Sequence, residues 1–179
     1  MSAYLLIVLA VLTRIMPHPG WFNFTAVGGS LLFFGARRPL RQAILPVLAL
    51  MATDYYLTVF AYNYPFRVQD YLLTWTWYAA VLVLGRLLLA DRRSVGRVAA
   101  GVVLSSTSFF LASNFAAWLT LGLYPRNGAG LMTAYAAGLP FYRNDLISTG
   151  LVAGLAFGLP ALVRQFRHHA DIEMHGRAA

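Results

Sequence analysis

Six mainly apolar stretches, separated by short charged or turn-forming segments, follow one another along the chain. They cover residues 4–15, 21–34, 43–60, 71–89, 98–121 and 145–163. A helix that crosses a bilayer needs about 20 largely apolar residues, and several of these stretches approach that length. The pattern therefore predicts an all-α, polytopic membrane protein, with a six-helix transmembrane bundle over residues 1–163 and a polar cytoplasmic tail over 164–179.

The connections between these stretches differ in character. On one side they are short and rich in Arg, and on the other they are longer and contain Trp, Tyr, Asn, Gly and Pro. The longest is the glycine-rich segment 122–144, where we expect a loop with only a short apolar piece at 131–137. Asn144 or Asp145 then suits the amino-terminal cap of the sixth helix, since a side-chain oxygen there accepts from free backbone N–H groups.

Composition supports the membrane assignment. The chain is 59% hydrophobic and only 11% charged, whereas an ordinary soluble domain is about one quarter charged. Soluble, disordered, collagen-like and coiled-coil classes are therefore excluded. The absence of Cys also excludes disulfides, thiolate metal sites and cysteine nucleophiles.

The net charge of +8 is explained by membrane topology. All fourteen basic residues are Arg, and a cytoplasmic N-terminus places ten of them on the inner side and four on the outer side. Cytoplasmic loops carry such an excess of positive charge, so the sequence predicts an N-in, C-in protein of a bacterial inner membrane. No basic motif indicates a nucleic-acid partner.

Asp54 is the sharpest single signal, because a carboxylate inside a span is costly and needs a partner or water. At about 12 residues from the inner end of its span it lies in the outer half. One interpretation is a ligand acceptor or a charge that organises a pocket. The other is a structural ion pair with Arg14, Arg67 or Arg143.

Asn114 and Trp118 share a face of the fifth span, since they are four residues apart. An amide beside an indole can hold a polar ring or a carboxamide. The alternative is an interhelical hydrogen bond and an interfacial Trp.

Two further groups of residues each have two interpretations. The aromatic side chains at the outer ends of the third and fourth spans are typical of an interfacial belt, and they leave room for a stacking pocket. Gly150, Gly154 and Gly158 form a GxxxGxxxG ridge that permits close approach of another helix. We expect that helix to lie within the bundle, with a separate subunit as the alternative.

No nucleophile and base occur together, and no phosphate-binding or zinc-binding motif is present. The sequence therefore predicts a protein that is not an enzyme and holds no cofactor or metal. His18, between two prolines in an outer turn, is a further possible ligand contact.

Several short motifs occur in order along the chain. They are Asn23-Phe24-Thr25, Asp54, Asn114-Phe115-Ala116-Ala117-Trp118, Tyr124-Pro125, and Pro140-Phe141-Tyr142 with Asn144-Asp145. Together they resemble a family of uncharacterised bacterial six-helix membrane proteins related to the substrate-binding S components of energy-coupling-factor (ECF) vitamin transporters. More distantly they resemble the solitary cobalamin transporters of that superfamily, whose cobalt-ligating cysteine this chain lacks.

The resemblance implies a compact bundle that captures a small vitamin-like solute in an outward-facing cavity. The expected lining is Asn23, Asp54, Asn114, Trp118, Tyr124, Phe141, Tyr142 and Arg143. Expected partners are the solute, the lipid bilayer, and an energy-coupling module or another membrane subunit. The alternatives are an accessory subunit of a larger membrane complex and, less favoured, a membrane enzyme that acts on lipid.

Overall fold

The shortest α-helix in the described part of the chain is also its most enclosed. The computed structural model describes residues 1–16, 20 and 22–176, with side chains except at 161 and 164–176. In that part of the chain the second helix has every residue from Val27 to Ala36 buried. Its 11 residues extend about 16 Å, about half of a bilayer core of roughly 30 Å. It therefore forms the centre of the bundle.

The described residues form six α-helices and no strand, which confirms the all-α prediction. The helices are α1 Ser2–Ile15, α2 Val27–Arg37, α3 Ile44–Tyr56, α4 Leu72–Leu89, α5 Val95–Thr120 and α6 Gly128–Gly176. A π-helical segment, Leu57–Ala61, continues α3.

Three helical segments are long and apolar enough to cross a membrane, namely Leu40–Ala61, Leu72–Leu89 and Val95–Thr120. The first includes the short 3₁₀ turn Leu40–Gln42 that leads into α3. α1 is apolar but shorter. The helix lengths are thus compatible with a membrane protein. The six spans and their orientation remain predictions.

Successive helices run in alternating directions. Tyr4, at the start of α1, donates to the Gln42 side chain at 2.9 Å, and Arg14, in the last turn of α1, contacts Asp54 late in α3. Arg97, at the start of α5, donates to the carbonyl of Leu88 at 3.0 Å. We call the end of the bundle that holds Arg14 and Asp54 the upper end; α2, α4 and α6 begin there.

Two glycines allow α2 and α4 to pack backbone against backbone. A side-chain carbon added at Gly35 would meet the carbonyl oxygen of Leu82, and one added at Gly85 would meet that of Leu32. On the other side of α2, a carbon added at Gly29 would lie 2.7 Å from Val152 of α6. Glycines on α2 and α4 therefore make the close backbone contact between these two central helices.

The predicted glycine ridge on α6 does not make the internal contact that we expected. A carbon added at Gly154 or Gly158 has no neighbour within 4 Å in the described part of the chain, and one added at Gly150 meets only Val102, at 3.8 Å. The expectation that the ridge packs within the bundle is wrong at Gly154 and Gly158. Glycines on α2 and α4 make the close helix contacts at the centre instead.

The start of the last helix also differs from the prediction. α6 begins at Gly128, so most of the predicted loop 122–144 is helical, and Asn144 and Asp145 lie inside the helix. Asn127 is its true cap, because its side chain accepts from the Gly130 N–H at 2.8 Å. Pro140 lies inside α6; membrane helices tolerate proline where neighbouring groups satisfy the freed carbonyl.

The α2–α4 contact generates the first prediction. We expect Gly35→Ala to lower the free energy of unfolding by about 1–3 kcal/mol or more, since the added methyl overlaps a backbone carbonyl that cannot move aside. Gly154→Ala is the matched control, and it should raise stability by up to about 1 kcal/mol through helix propensity. Thermal unfolding of the purified variants measures both. Equal effects of the two changes would contradict this packing.

Candidate functional site

A cavity of about 670 Å³ opens at the upper end of the bundle. It lies between the end of α1, the loop before α2, the end of α3, the start of α4 and α6. Its lining includes Arg14, Phe22, Asn23, Thr25, Asp54, Leu57, Thr58, Tyr62, Tyr71 and Phe141. A few polar groups thus stand among aromatic and aliphatic side chains, which is typical of a small-molecule site.

Asp54 is the most heavily hydrogen-bonded side chain at this end. Arg14 donates to its Oδ1 from Nε at 3.0 Å and from Nη2 at 2.5 Å. Trp75 donates to Oδ2 at 3.0 Å, and the Tyr78 hydroxyl lies 3.2 Å from the same oxygen. The Asp54 side chain has no exposed surface, so these donors replace water around a buried charge.

The guanidinium group of Arg14 hydrogen-bonds with Asp54 along one edge, and Arg14 also borders the cavity. Its side chain keeps 27% of its surface exposed. Within the described residues only Nε and Nη2 donate to a protein acceptor, which leaves Nη1 for a bound group. Arg14 is therefore both a structural partner and a donor at the cavity wall.

The π-helical segment supplies the opposite wall. Leu57, Thr58 and Ala61 border the cavity, and the Thr58 hydroxyl hydrogen-bonds with that of Tyr71. Tyr71 in turn stacks on Trp75 with ring centroids 5.9 Å apart. π-helical turns occur often at functional sites, because the extra residue redirects side chains.

Asn23 joins the large cavity to two smaller ones. It borders the cavity of 670 Å³, a second of about 110 Å³ and a third of about 20 Å³. Its φ of 62° is a left-handed conformation that Asn adopts more readily than most residues. The loop before α2 thus places one residue on the wall of all three cavities.

The predicted lining residues divide into two groups. Asn23, Asp54 and Phe141 border the large cavity, while Asn114 and Tyr142 border the smallest one. The Asn114 amide also donates to the Phe110 carbonyl at 2.8 Å.

The other three predicted residues lie away from these cavities. Trp118 donates to the Pro125 carbonyl at 2.8 Å and so ties α5 to the following turn. Tyr124 lies in that turn and is half-buried, and Arg143 is exposed on α6. His18 falls outside the described residues.

Sequence reasoning underrated two sets of residues. Trp75 and Tyr78 belong to the aromatic group that was interpreted as an interfacial belt or a stacking pocket, but both contact Asp54. Asp145 was assigned to a helix cap, but it is a buried residue that borders both small cavities. Asp145 and Thr149 are four residues apart and therefore lie on one helix face. This spacing could have identified Asp145 as a site residue.

The described residues contain no group of three or more His, Cys, Asp or Glu side chains that could hold a metal ion. The fold and the cavities define the protein as an all-helical bundle with membrane-length apolar helices and a polar, aromatic-lined hollow at one end. Residues 1–171 match the model of DUF6580, a family of unknown function, and the chain belongs to that family. No curated protein and no solved structure matches the chain.

The Asp54 network generates the second prediction. We expect Arg14→Met to lower the free energy of unfolding by about 3–5 kcal/mol, because it leaves a buried carboxylate without its cation. Asp54→Asn in the same chain should recover part of that loss. A double-mutant cycle from thermal unfolding measures the coupling.

Arg67→Met is the matched control, since Arg67 is an exposed arginine on the same end of the bundle. Its effect should stay within about 0.5 kcal/mol. A coupling of zero between Arg14 and Asp54 would contradict the proposed pair.

Proposed function

We propose that this protein is a substrate-binding membrane transport protein that captures a small, vitamin-like solute in the upper cavity. The observation that carries the proposal is the cavity itself. Its volume of about 670 Å³ lies within the range of roughly 300–1,000 Å³ that is usual for ligand sites. The resemblance of the ordered motifs to S components supports the same function.

The polar groups of the cavity favour a solute with an anionic or strongly accepting group. Asp54 engages Nε and Nη2 of Arg14 but not Nη1, and a guanidinium binds carboxylates through parallel hydrogen bonds. Asn23 and Thr25 lie beside it and add donors of fixed position. The solute's acceptor would therefore bind next to the Arg14–Asp54 pair.

The aromatic groups favour a flat apolar body. Phe22 and Phe141 lie with ring centroids 5.9 Å apart on one side of the cavity, and Tyr71 lies on another. Rings in this arrangement bury an aromatic or aliphatic portion of a ligand. We infer an amphipathic solute with one polar end.

The proposal places the upper end outside the cell. A multi-pass protein of the bacterial inner membrane with N-in, C-in topology presents the ends of α1, α3 and α5 outward, and the distribution of Arg supports that orientation. Movement of the solute across the bilayer then requires a conformational change, with or without an energy-coupling module as partner.

An accessory subunit is the second candidate, and one observation favours it. Within the described residues no atom lies within 4 Å of a carbon added at Gly154 or Gly158, and an apolar groove of about 790 Å³ lies on the surface of the bundle between α1, α2 and α6. Both features suit a helix from another membrane protein. Purification in a gentle detergent separates the candidates, because a stoichiometric protein partner favours this one.

The third prediction tests solute capture. Native mass spectrometry of protein taken directly from its own membrane should show a retained small-molecule mass. Phe141→Ala should weaken retention about tenfold or more, which corresponds to about 1.4 kcal/mol, since it removes one wall of the cavity.

Phe115→Ala is the matched control, because Phe115 is a similarly exposed aromatic residue on α5 that does not border the described cavities. It should retain the mass as the unchanged protein does. Retention that is unaffected by Phe141→Ala, or no retained mass from any preparation, would contradict solute capture in this cavity.

A further inference from the structure

Four buried polar atoms on α5 and α6 lack hydrogen-bond partners. They are the hydroxyl oxygens of Ser105, Ser106 and Thr149 and Oδ2 of Asp145. The three hydroxyl residues have no exposed surface, and Asp145 retains 7%. Buried polar atoms in proteins are nearly always paired, so a group of orphans indicates an occupant.

Two of these residues, Ser106 and Asp145, face each other across the α5–α6 contact. The Ser106 hydroxyl faces the Asp145 carboxyl, although neither Ser106 Oγ nor Asp145 Oδ2 completes a hydrogen bond. Thr149 follows Asp145 by four residues, so both lie on one face of α6. A side-chain carbon added at Gly28 of α2 would meet the Thr149 hydroxyl, and this contact places that face at the centre of the bundle.

The space beside Ser106 and Asp145 suits one small occupant. Ser106 and Asp145 border the cavity of about 20 Å³, and a single water requires at least about 10–15 Å³ by such a measure. Ser106 lies near the middle of α5, a helix of 26 residues that is long enough to cross a membrane. Asp145 is therefore a carboxyl group at mid-depth of the bundle.

The charges around this position do not balance. Arg14 and Asp145 both border the cavity of about 110 Å³, but Arg14 is already paired with Asp54. Of the other basic residues near Asp145, Arg37, Arg86 and Arg97 lie in turns at the lower end. Arg143 on α6 is exposed, and within the described residues it forms no salt bridge with Asp145. Two carboxylates and one guanidinium leave one negative charge uncompensated.

We propose that Asp145, Ser106 and Thr149 bind one sodium ion. A monovalent cation cancels the remaining charge, whereas a divalent ion would leave an excess positive charge in a medium that penalises it. Carboxylate and hydroxyl oxygens are hard ligands that suit such an ion. A proton on Asp145 would neutralise the charge and let the carboxyl donate to Ser106, but it would leave the Thr149 hydroxyl without a partner.

This site goes beyond the capture of a solute and does not depend on it. Asn23 borders the two small cavities as well as the large one. The sodium site therefore adjoins the upper cavity, from which an ion can enter. Sodium binding is measured with no solute present, so its failure and that of solute capture are distinguishable.

The fourth prediction is a selective stabilisation by sodium. The melting temperature of the purified full chain should rise saturably when NaCl replaces choline chloride at constant ionic strength, because an ion that binds only the folded state stabilises it. KCl should give no comparable rise. Equilibrium binding of ²²Na⁺ should saturate at one ion per chain.

Three variants on the site and two matched controls test the ligands. Asp145→Asn should abolish saturable ²²Na⁺ binding, and Thr149→Val and Ser106→Ala should each raise the dissociation constant about tenfold or more, or about 1.4 kcal/mol. Thr133→Val is the control on the same helix, since its exposed hydroxyl donates only to the Ala129 carbonyl. Asp70→Asn is the exposed carboxylate control.

Several outcomes would overturn the proposal. They are equal stabilisation by NaCl and KCl, sodium binding that survives Asp145→Asn, and a melting temperature that depends on pH but not on sodium. The last would indicate a protonated Asp145 instead. If Asp145→Asn does not fold, the Thr149→Val and Ser106→Ala variants test the site in its place. An unchanged sodium affinity in both of them would reject the site.

Discussion

The burial of α2, a helix too short to span the bundle, is the constraint on which the rest of the structure depends. Gly35 and Gly85 bring α2 and α4 into backbone contact, and the apolar side chains of α2 fill the lower part of the core. The described residues just before Val27, 22–26, form a loop and not a helix. The three cavities that Asn23 borders lie at that level, so the hollow at the upper end is a direct consequence of the length of α2.

Much of this architecture follows from hydropathy, because each helix must bury apolar side chains over a fixed length. The predicted fourth span, 71–89, agrees with α4 to within one residue. The failure at α6 has a local cause: Gly138 and Pro140 suggest a loop by composition, but a carbon added at Gly138 would meet the Asn114 side chain. Gly138 therefore allows α6 to pack closely against α5. The helix propensity of a single residue does not reveal a tertiary requirement of this kind.

The candidate site was partly predictable for a similar reason. Asp54 stands out in any apolar stretch, and Arg14 was among its three possible partners, but choosing between them requires the path of the chain. Asp145 was assigned to a cap because the helix was expected to begin there. Once α6 begins at Gly128, the same carboxyl becomes a buried group inside the bundle. An error in one boundary thus changed the chemistry assigned to a residue.

The described residues include two buried carboxyl groups, Asp54 and Asp145. Their different surroundings indicate different roles. Asp54 has a cation and two further donors, so its charge is satisfied by the fold alone, and removing either partner costs stability. Asp145 has Ser106 opposite it and an oxygen with no partner. A fold that needed Asp145 only for packing would be more stable with an apolar residue there, since an unsatisfied buried polar group costs about 1–3 kcal/mol. A carboxyl group kept at that cost is explained by an occupant that it binds.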